Sequence, residues 1–241
     1  MSQPLRIGIA GLGSIGVGVL EVLGCHQHQL AGRAGRSIIV TAVSARDKSR
    51  ERGIDISGLT WYEDAQQLAK DDSLDVVVEL IGGQGGVAKA LVEEAIRAGK
   101  HVVTANKALI ALHGTELARA AEAKGLVLAY EAAVAGGIPI IKVLREGLAA
   151  NCINRIYGIL NGTCNYILTD MAVSGREFHE ILQEAQDLGY AEADPSFDVD
   201  GIDSAHKLAI LAAVAFGNEV DFENVYVEGI RHVAPIDIEF A

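Results

Sequence analysis

A chain of 241 residues, 50% apolar and 22% charged, can bury a core in one large domain or two moderate ones, which excludes a disordered or low-complexity protein. Its 32 Asp and Glu outweigh 20 Lys and Arg; a net charge of -12 without any basic tract speaks against nucleic acid and membrane and for a small-molecule partner. No apolar run approaches the roughly 20 residues that span a bilayer, the start shows no leader pattern, and Cys25, Cys152 and Cys164 lie in no metal or redox spacing, so a cytoplasmic protein with reduced thiols is expected.

Short β-rich runs alternate with helical patterns to about residue 130. Strands are predicted at 6–10, 38–43, 76–80, 101–104 and 127–130. Between them, 15–23, 87–98 and 115–123 carry apolar residues at helical spacing, with Gly24, Gly99 and Gly125 where C-terminal caps fall. The segment 24–36 reads as a loop or helix extension. This rhythm predicts an α/β fold, a Rossmann-type doubly wound parallel sheet. From Glu131 the rhythm changes: a helix opened by Gly136-Gly137-Ile138-Pro139 and ending near Gly147, a strand at 152–160, and helices at 165–173, 176–188 and 202–216. The stretches 225–230 and 236–240 read as strands, and the sequence stops without a closing element, as a fragment would. We therefore place an NAD(P)-binding domain at 1–130 and a second, α+β catalytic and dimerisation domain at 131–241.

Gly11-Leu12-Gly13-Ser14-Ile15-Gly16 follows the first strand directly and opens a helix, the context that a G-x-G-x-x-G dinucleotide turn requires. One glycine makes the turn, the next lets backbone approach a pyrophosphate, and the last lets helix and strand pack closely. After the second strand, Ser44-Ala45-Arg46-Asp47 offers a guanidinium before a carboxylate. Arg46 suits a 2′-phosphate and favours NADP over NAD; Asp47 on a ribose hydroxyl is the alternative. Gly82 and Gly83 follow the third strand and Lys107 the fourth, at the sheet edge where α/β ligands bind, against the plainer readings of turn glycines and a solvated lysine.

The densest constellation runs from Ala185 to Lys207, with five carboxylates between Glu192 and Asp203 ahead of a lysine in an apolar helix. Asp203 and Lys207 are four apart, so they share a helix face and can meet one ligand or each other. A surface ion pair is the bland reading; the apolar run 208–215 predicts a buried helix, where charge is more often functional.

This run resembles the homoserine dehydrogenase signature throughout, and VVTANK at 102–107, EAAVAGGIPII at 131–141 and NGTCNYIL at 161–168 resemble further motifs of that family. The resemblance covers essentially the whole chain, with Cys164 where the family commonly has Thr. It implies NAD(P)-dependent interconversion of L-homoserine and L-aspartate 4-semialdehyde, a step towards threonine, methionine and isoleucine, in a homodimer or tetramer. By resemblance, Lys207 is the proton donor and acceptor, aided by Lys107 and Asp203. Glu192 and Asp203 hold the substrate's amino end, and Gly162, Thr163, Tyr190 and Lys107 line the substrate. The cofactor lies on residues 11–16, Arg46, Gly82, Gly83 and Lys107. A monovalent cation such as Na+ falls to Glu131, Val134, Gly136 and Ile138. The family's members carry a longer C-terminal part, which keeps open an NAD(P)-binding fragment without turnover; a separate rival, a semialdehyde dehydrogenase, would need Cys164 as its thiolate nucleophile and would leave the carboxylate and lysine cluster unexplained.

Overall fold

The computed structural model describes residues 3–241. The chain divides into two compact units, the first ending at Val143 and the second spanning Leu144–Ala241.

The first unit is built on a sheet of β1 (Leu5–Ala10), β2 (Ile38–Ser44), β3 (Thr60–Tyr62), β4 (Val76–Glu79), β5 (His101–Thr104) and β6 (Leu128–Ala129). All neighbours pair in parallel, in the order β3-β2-β1-β4-β5-β6. Parallel strands need crossovers, supplied by α1 (Ser14–Cys25), α2 (Gln27–Ala34), α3 (Gln66–Lys70), α4 (Gly86–Arg97) and α5 (Lys107–Glu122). The unit closes with α6 (Ala132–Ala135) and α7 (Ile140–Lys142). Ile7, Ile9, Val43, Val76 and Val78 pack with Leu12 and Leu20 into one core cluster, so these strands read as near-continuous apolar runs. The order of connection reverses between β1 and β4, and at such a switch point an open sheet leaves a crevice beyond its carboxyl ends.

For this unit one helix cap and one helix start are revised, the helix-extension reading of 24–36 holds, and two short elements are added. Gly24 lies inside α1 instead of capping it, and 27–34 continues as a second helix. The helix expected at 115–123 starts at Lys107, because the Asn106 side chain accepts the Leu109 N–H (3.0 Å) and nucleates it two turns earlier. The short β3 and α3 were not predicted; three- and five-residue elements leave too little periodicity to read.

The second unit contains α8 (Gly162–Ser174), α9 (Phe178–Asp187), α10 (Ser196–Val199), α11 (Ile202–Phe216) and α12 (Pro235–Glu239). Its core cluster joins Ile167 and Met171 of α8 to Ile181 and Ala185 of α9, with Ala191 and Val199. The stretch 236–240, expected as a strand, is helical: Pro235 opens α12 and the Asp237 carboxylate takes the Ala234 N–H at 2.8 Å, a helix start that outweighs the β-branched residues. Residues 152–160 and 225–230 take no strand partner among the described residues. α11 spans the predicted 202–216 but is half buried, with Leu208 and Phe216 exposed on its outer face.

Candidate active site

At the end of β1 the three glycines have distinct environments. Gly11 has φ +99°, and a Cβ there would lie 2.4 Å from the Leu80 carbonyl oxygen at the end of β4. A Cβ on Gly16 would lie 2.0 Å from the Gly11 oxygen, so only glycine lets α1 settle on the turn. A Cβ on Gly13 meets nothing within 4 Å. The N-terminus of α1 therefore faces open space, which is the cradle a pyrophosphate needs. The Leu12 side chain goes into the core, so its backbone is what faces this space, while Ser14 and Ile15 are exposed.

The loop after β2 carries exposed Arg46 and, beyond it, Lys48, Arg50 and Arg52. The Arg52 guanidinium lies 5.6 Å from the Trp61 ring centre and donates to the Leu12 carbonyl oxygen at 3.4 Å. Asp47 is drawn into its own turn: it accepts from the Ser49 hydroxyl (2.6 Å) and backbone N–H (2.8 Å), bonds that hold its pKa below the usual carboxylate value. From Arg46 to Arg52 the arrangement sets four cations against the two carboxylates Asp47 and Glu51, leaving net positive charge beside the turn.

At the ends of β4 and β5 the structure shows a group that sequence reasoning missed. Glu79 is fully buried. It accepts from the backbone N–H groups of Ile81 (2.7 Å) and Gly82 (2.9 Å) and from the Thr104 hydroxyl (2.5 Å). The available signal was a lone carboxylate ending an otherwise apolar strand. Lys107 is the first residue of α5 and is half-buried. Glu131 uses both oxygens on backbone donors, Ile141 N–H (2.8 Å) and Lys142 N–H (2.9 Å). A carboxylate oxygen accepting one N–H keeps further lone pairs, so these bonds aim the group without saturating it. The Ile138 carbonyl also accepts, from the Ile140 N–H at 2.8 Å.

In the second unit, the Lys207 ammonium donates to Asp203 Oδ2 and to the Leu160 carbonyl, both at 2.7 Å. Asp203 is 1% exposed, and the Lys207 side chain retains 16% exposure. The pair is thus a buried carboxylate with its ammonium partner at the rim. Asn161, which also escaped the sequence reading, caps α8 by accepting the Cys164 N–H and donates its amide to Asp203 Oδ2 and Asp198 Oδ1, each at 2.8 Å. Thr163 donates to Asp198 Oδ2 at 2.9 Å and lies 3.2 Å from the Tyr190 carbonyl. Asp203, Lys207, Gly162, Thr163 and Tyr190 thus belong to one cluster, extended by Asn161 and Asp198. Glu192 stands apart from these bonds, exposed, with its backbone carbonyl taking the Gln186 amide. Of the remaining carboxylates, Asp194 caps Ser196 and Asp200 pairs with Arg231.

Cys164 fits no nucleophile. Burial, followed by the charges of Asp198 and Asp203, pushes its thiol up to about 11, and the sulfur donates to the Asp198 carbonyl at 3.2 Å. With Cys25 and Cys152 replaced by Ser, iodoacetamide should modify Cys164 at pH 7.5 at least about tenfold more slowly than a free thiol, the greater reactivity of a high-pKa thiolate offsetting part of its scarcity. Labelling at the free-thiol rate, followed by mass spectrometry, would reopen the thiolate chemistry.

Comparison with known proteins identifies the family. The family described as homoserine dehydrogenase, NAD binding domain, matches residues 11–131, and the homoserine dehydrogenase family matches 139–241. The chain is 51% identical over 239 residues to the homoserine dehydrogenase of Pseudomonas aeruginosa, covering 99% of this chain and 54% of that protein. The crystal structure of a homoserine dehydrogenase from Thiobacillus denitrificans superposes with a TM-score of 0.94 at 49% identity, over 99% of this chain and 55% of the other. A hyperthermophilic archaeal homoserine dehydrogenase in complex with NADPH matches at 0.82 and 26% identity, over 96% of this chain and 75% of its own. No helix among the described residues is long and apolar enough to cross a membrane.

Proposed function

The chain belongs to the homoserine dehydrogenase family, and from that premise we propose that the protein containing it interconverts L-homoserine and L-aspartate 4-semialdehyde with NADP(H). The carrying observation is the Lys207–Asp203 pair: an ammonium held at the rim of a buried polar cluster, able to exchange a proton with a ligand. When bound, NADP(H) would supply or accept the hydride at C4 of the substrate. Lys207 gives the proton to the oxygen on C4 during reduction and takes it back during oxidation, with Lys107 assisting. Asp203 holds Lys207 aimed, and shares the substrate's ammonium with Glu192. Gly162, Thr163 and Tyr190 line the carbon chain between them.

In this reading residues 1–130 hold the cofactor on 11–16, Gly82, Gly83 and Lys107, and residues 131–241 hold the substrate. The assembly is a cytoplasmic homodimer or tetramer, in keeping with the free thiols Cys25, Cys152 and Cys164. Glu131 with the carbonyls of Val134, Gly136 and Ile138 is retained as a Na+ site, with no step routed through it. The test is an assay of the full-length protein with L-homoserine and either NADP or NAD, read at 340 nm. Homoserine-dependent reduction supports the proposal; cofactor binding without turnover would refute it.

Arg46 supplies a sharper check on the cofactor. Arg46→Ala should raise KM for NADP about tenfold, one lost charged contact to phosphate, while changing KM for NAD less than twofold. An equal effect on both cofactors would remove Arg46 from the 2′-phosphate.

A further inference from the structure

Glu79 is the one fully buried carboxylate among the described residues that has no role in the chemistry above, and its position at the carboxyl end of a central strand is costly. Its bonds form a closed circuit. Glu79 accepts from the Gly82 N–H; the next residue, Gly83, accepts the Asn106 side-chain amide at 2.6 Å. The Asn106 backbone N–H donates to the Thr104 hydroxyl at 2.9 Å, and that hydroxyl donates back to Glu79. The circuit ties the loop after β4 to the loop after β5. Through the Asn106 cap on Leu109 it also sets where α5, and with it Lys107, begins.

The direction of the circuit explains why a carboxylate is needed. The Thr104 oxygen already receives the Asn106 N–H, so its single hydrogen needs an acceptor, while Ile81 and Gly82 need two more acceptor positions. A carboxylate accepts all three; glutamine's one oxygen could keep the Ile81 and Gly82 N–H groups, but its amide N–H would face Thr104 and leave that hydroxyl without its acceptor. The loop it supports is exposed at Gly82 and Gly83, both with positive φ (83° and 88°), so an exposed glycine turn is held from beneath by a buried anchor.

We infer that Glu79 is a positioning residue for the nicotinamide end of the cofactor, acting through Thr104 and Asn106 to hold the Gly82–Gly83 turn and the Lys107 end of α5 in one fixed arrangement. This rests on the proposed NADP(H) function. The test uses the full-length protein and equilibrium binding of NADP+ and of adenosine 2′,5′-bisphosphate, which lacks the nicotinamide half. Glu79→Gln and Thr104→Val should each weaken NADP+ about tenfold, leave adenosine 2′,5′-bisphosphate within twofold, and lower kcat; Thr104→Ser, which keeps the hydroxyl, should restore NADP+ affinity to within twofold of wild type. If Glu79→Gln does not fold, the Thr104 pair decides. NADP+ affinity unchanged in Thr104→Val, or equal losses for both ligands, overturns the inference. Wild-type protein that binds NADP+ no better than the bisphosphate would instead remove the nicotinamide placement beneath it, a result visible before any variant is made.

Discussion

Replacing Lys207 with alanine in the full-length protein is expected to lower kcat for homoserine oxidation by about 10³-fold, within the range that a positioned acid–base group contributes. KM for NADP should change little, because the ammonium's hydrogen bonds go to Asp203 and Leu160 of its own unit. Stability should also fall, by about 3 kcal/mol, since Asp203 is left buried without its cation. Lys207→Ala combined with Asp203→Asn separates these effects. The double variant should recover much of the lost Tm, as the uncompensated charge is gone, yet recover no turnover. Wild-type turnover in the single variant would end the assignment of Lys207 as the proton carrier.

The glycine turn predicts a contrast within three residues. Gly16→Ala should destabilise the protein by about 2–3 kcal/mol and abolish detectable NADP binding, because its Cβ would stand 2.0 Å from a backbone oxygen that cannot yield without moving the turn. Gly13→Ala should fold with an unchanged Tm, since nothing lies within 4 Å of its Cβ and its φ of -78° suits any residue. It should nonetheless weaken NADP at least about 100-fold, as the methyl would stand in the path of the pyrophosphate. Thermal unfolding and cofactor titration on both variants check this. A Gly13→Ala protein that binds NADP normally would show that the phosphates do not cross the N-terminus of α1.

Much of the site was legible before any coordinates because its chemistry is local in sequence. A glycine turn is read from residues 11–16 and the strand before it, and Asp203 with Lys207 from one helical spacing of four. Asn161 and Glu79 were missed because their importance lies in partners far along the chain. Asn161 joins residues 37 and 42 positions away, and Glu79 meets Thr104 across 25. Glu192 and Cys164 show the converse. Resemblance gave Glu192 a substrate role and a rival enzyme class gave Cys164 a nucleophile's, but exposure and burial are not written in either motif: Glu192 is exposed outside the bonded cluster, and burial, then the Asp198 and Asp203 charges, raise the Cys164 thiol.

By itself, the sequence determined the alternation of strand and helix, the parallel sheet that follows from it, the dinucleotide turn, and the family with its lysine and carboxylate pair. The first three depend on periodicity or on residues within a turn or two of chain, and the family rests on the resemblance of whole motifs. Tertiary structure alone decided which polar groups are buried and what satisfies them: that Glu79 anchors two loops, that Asn161 bridges Asp198 and Asp203, and that 236–240 is a helix. The reason is physical. Desolvation penalises a polar atom according to everything packed around it, and those neighbours arrive from distant segments only once the chain has folded.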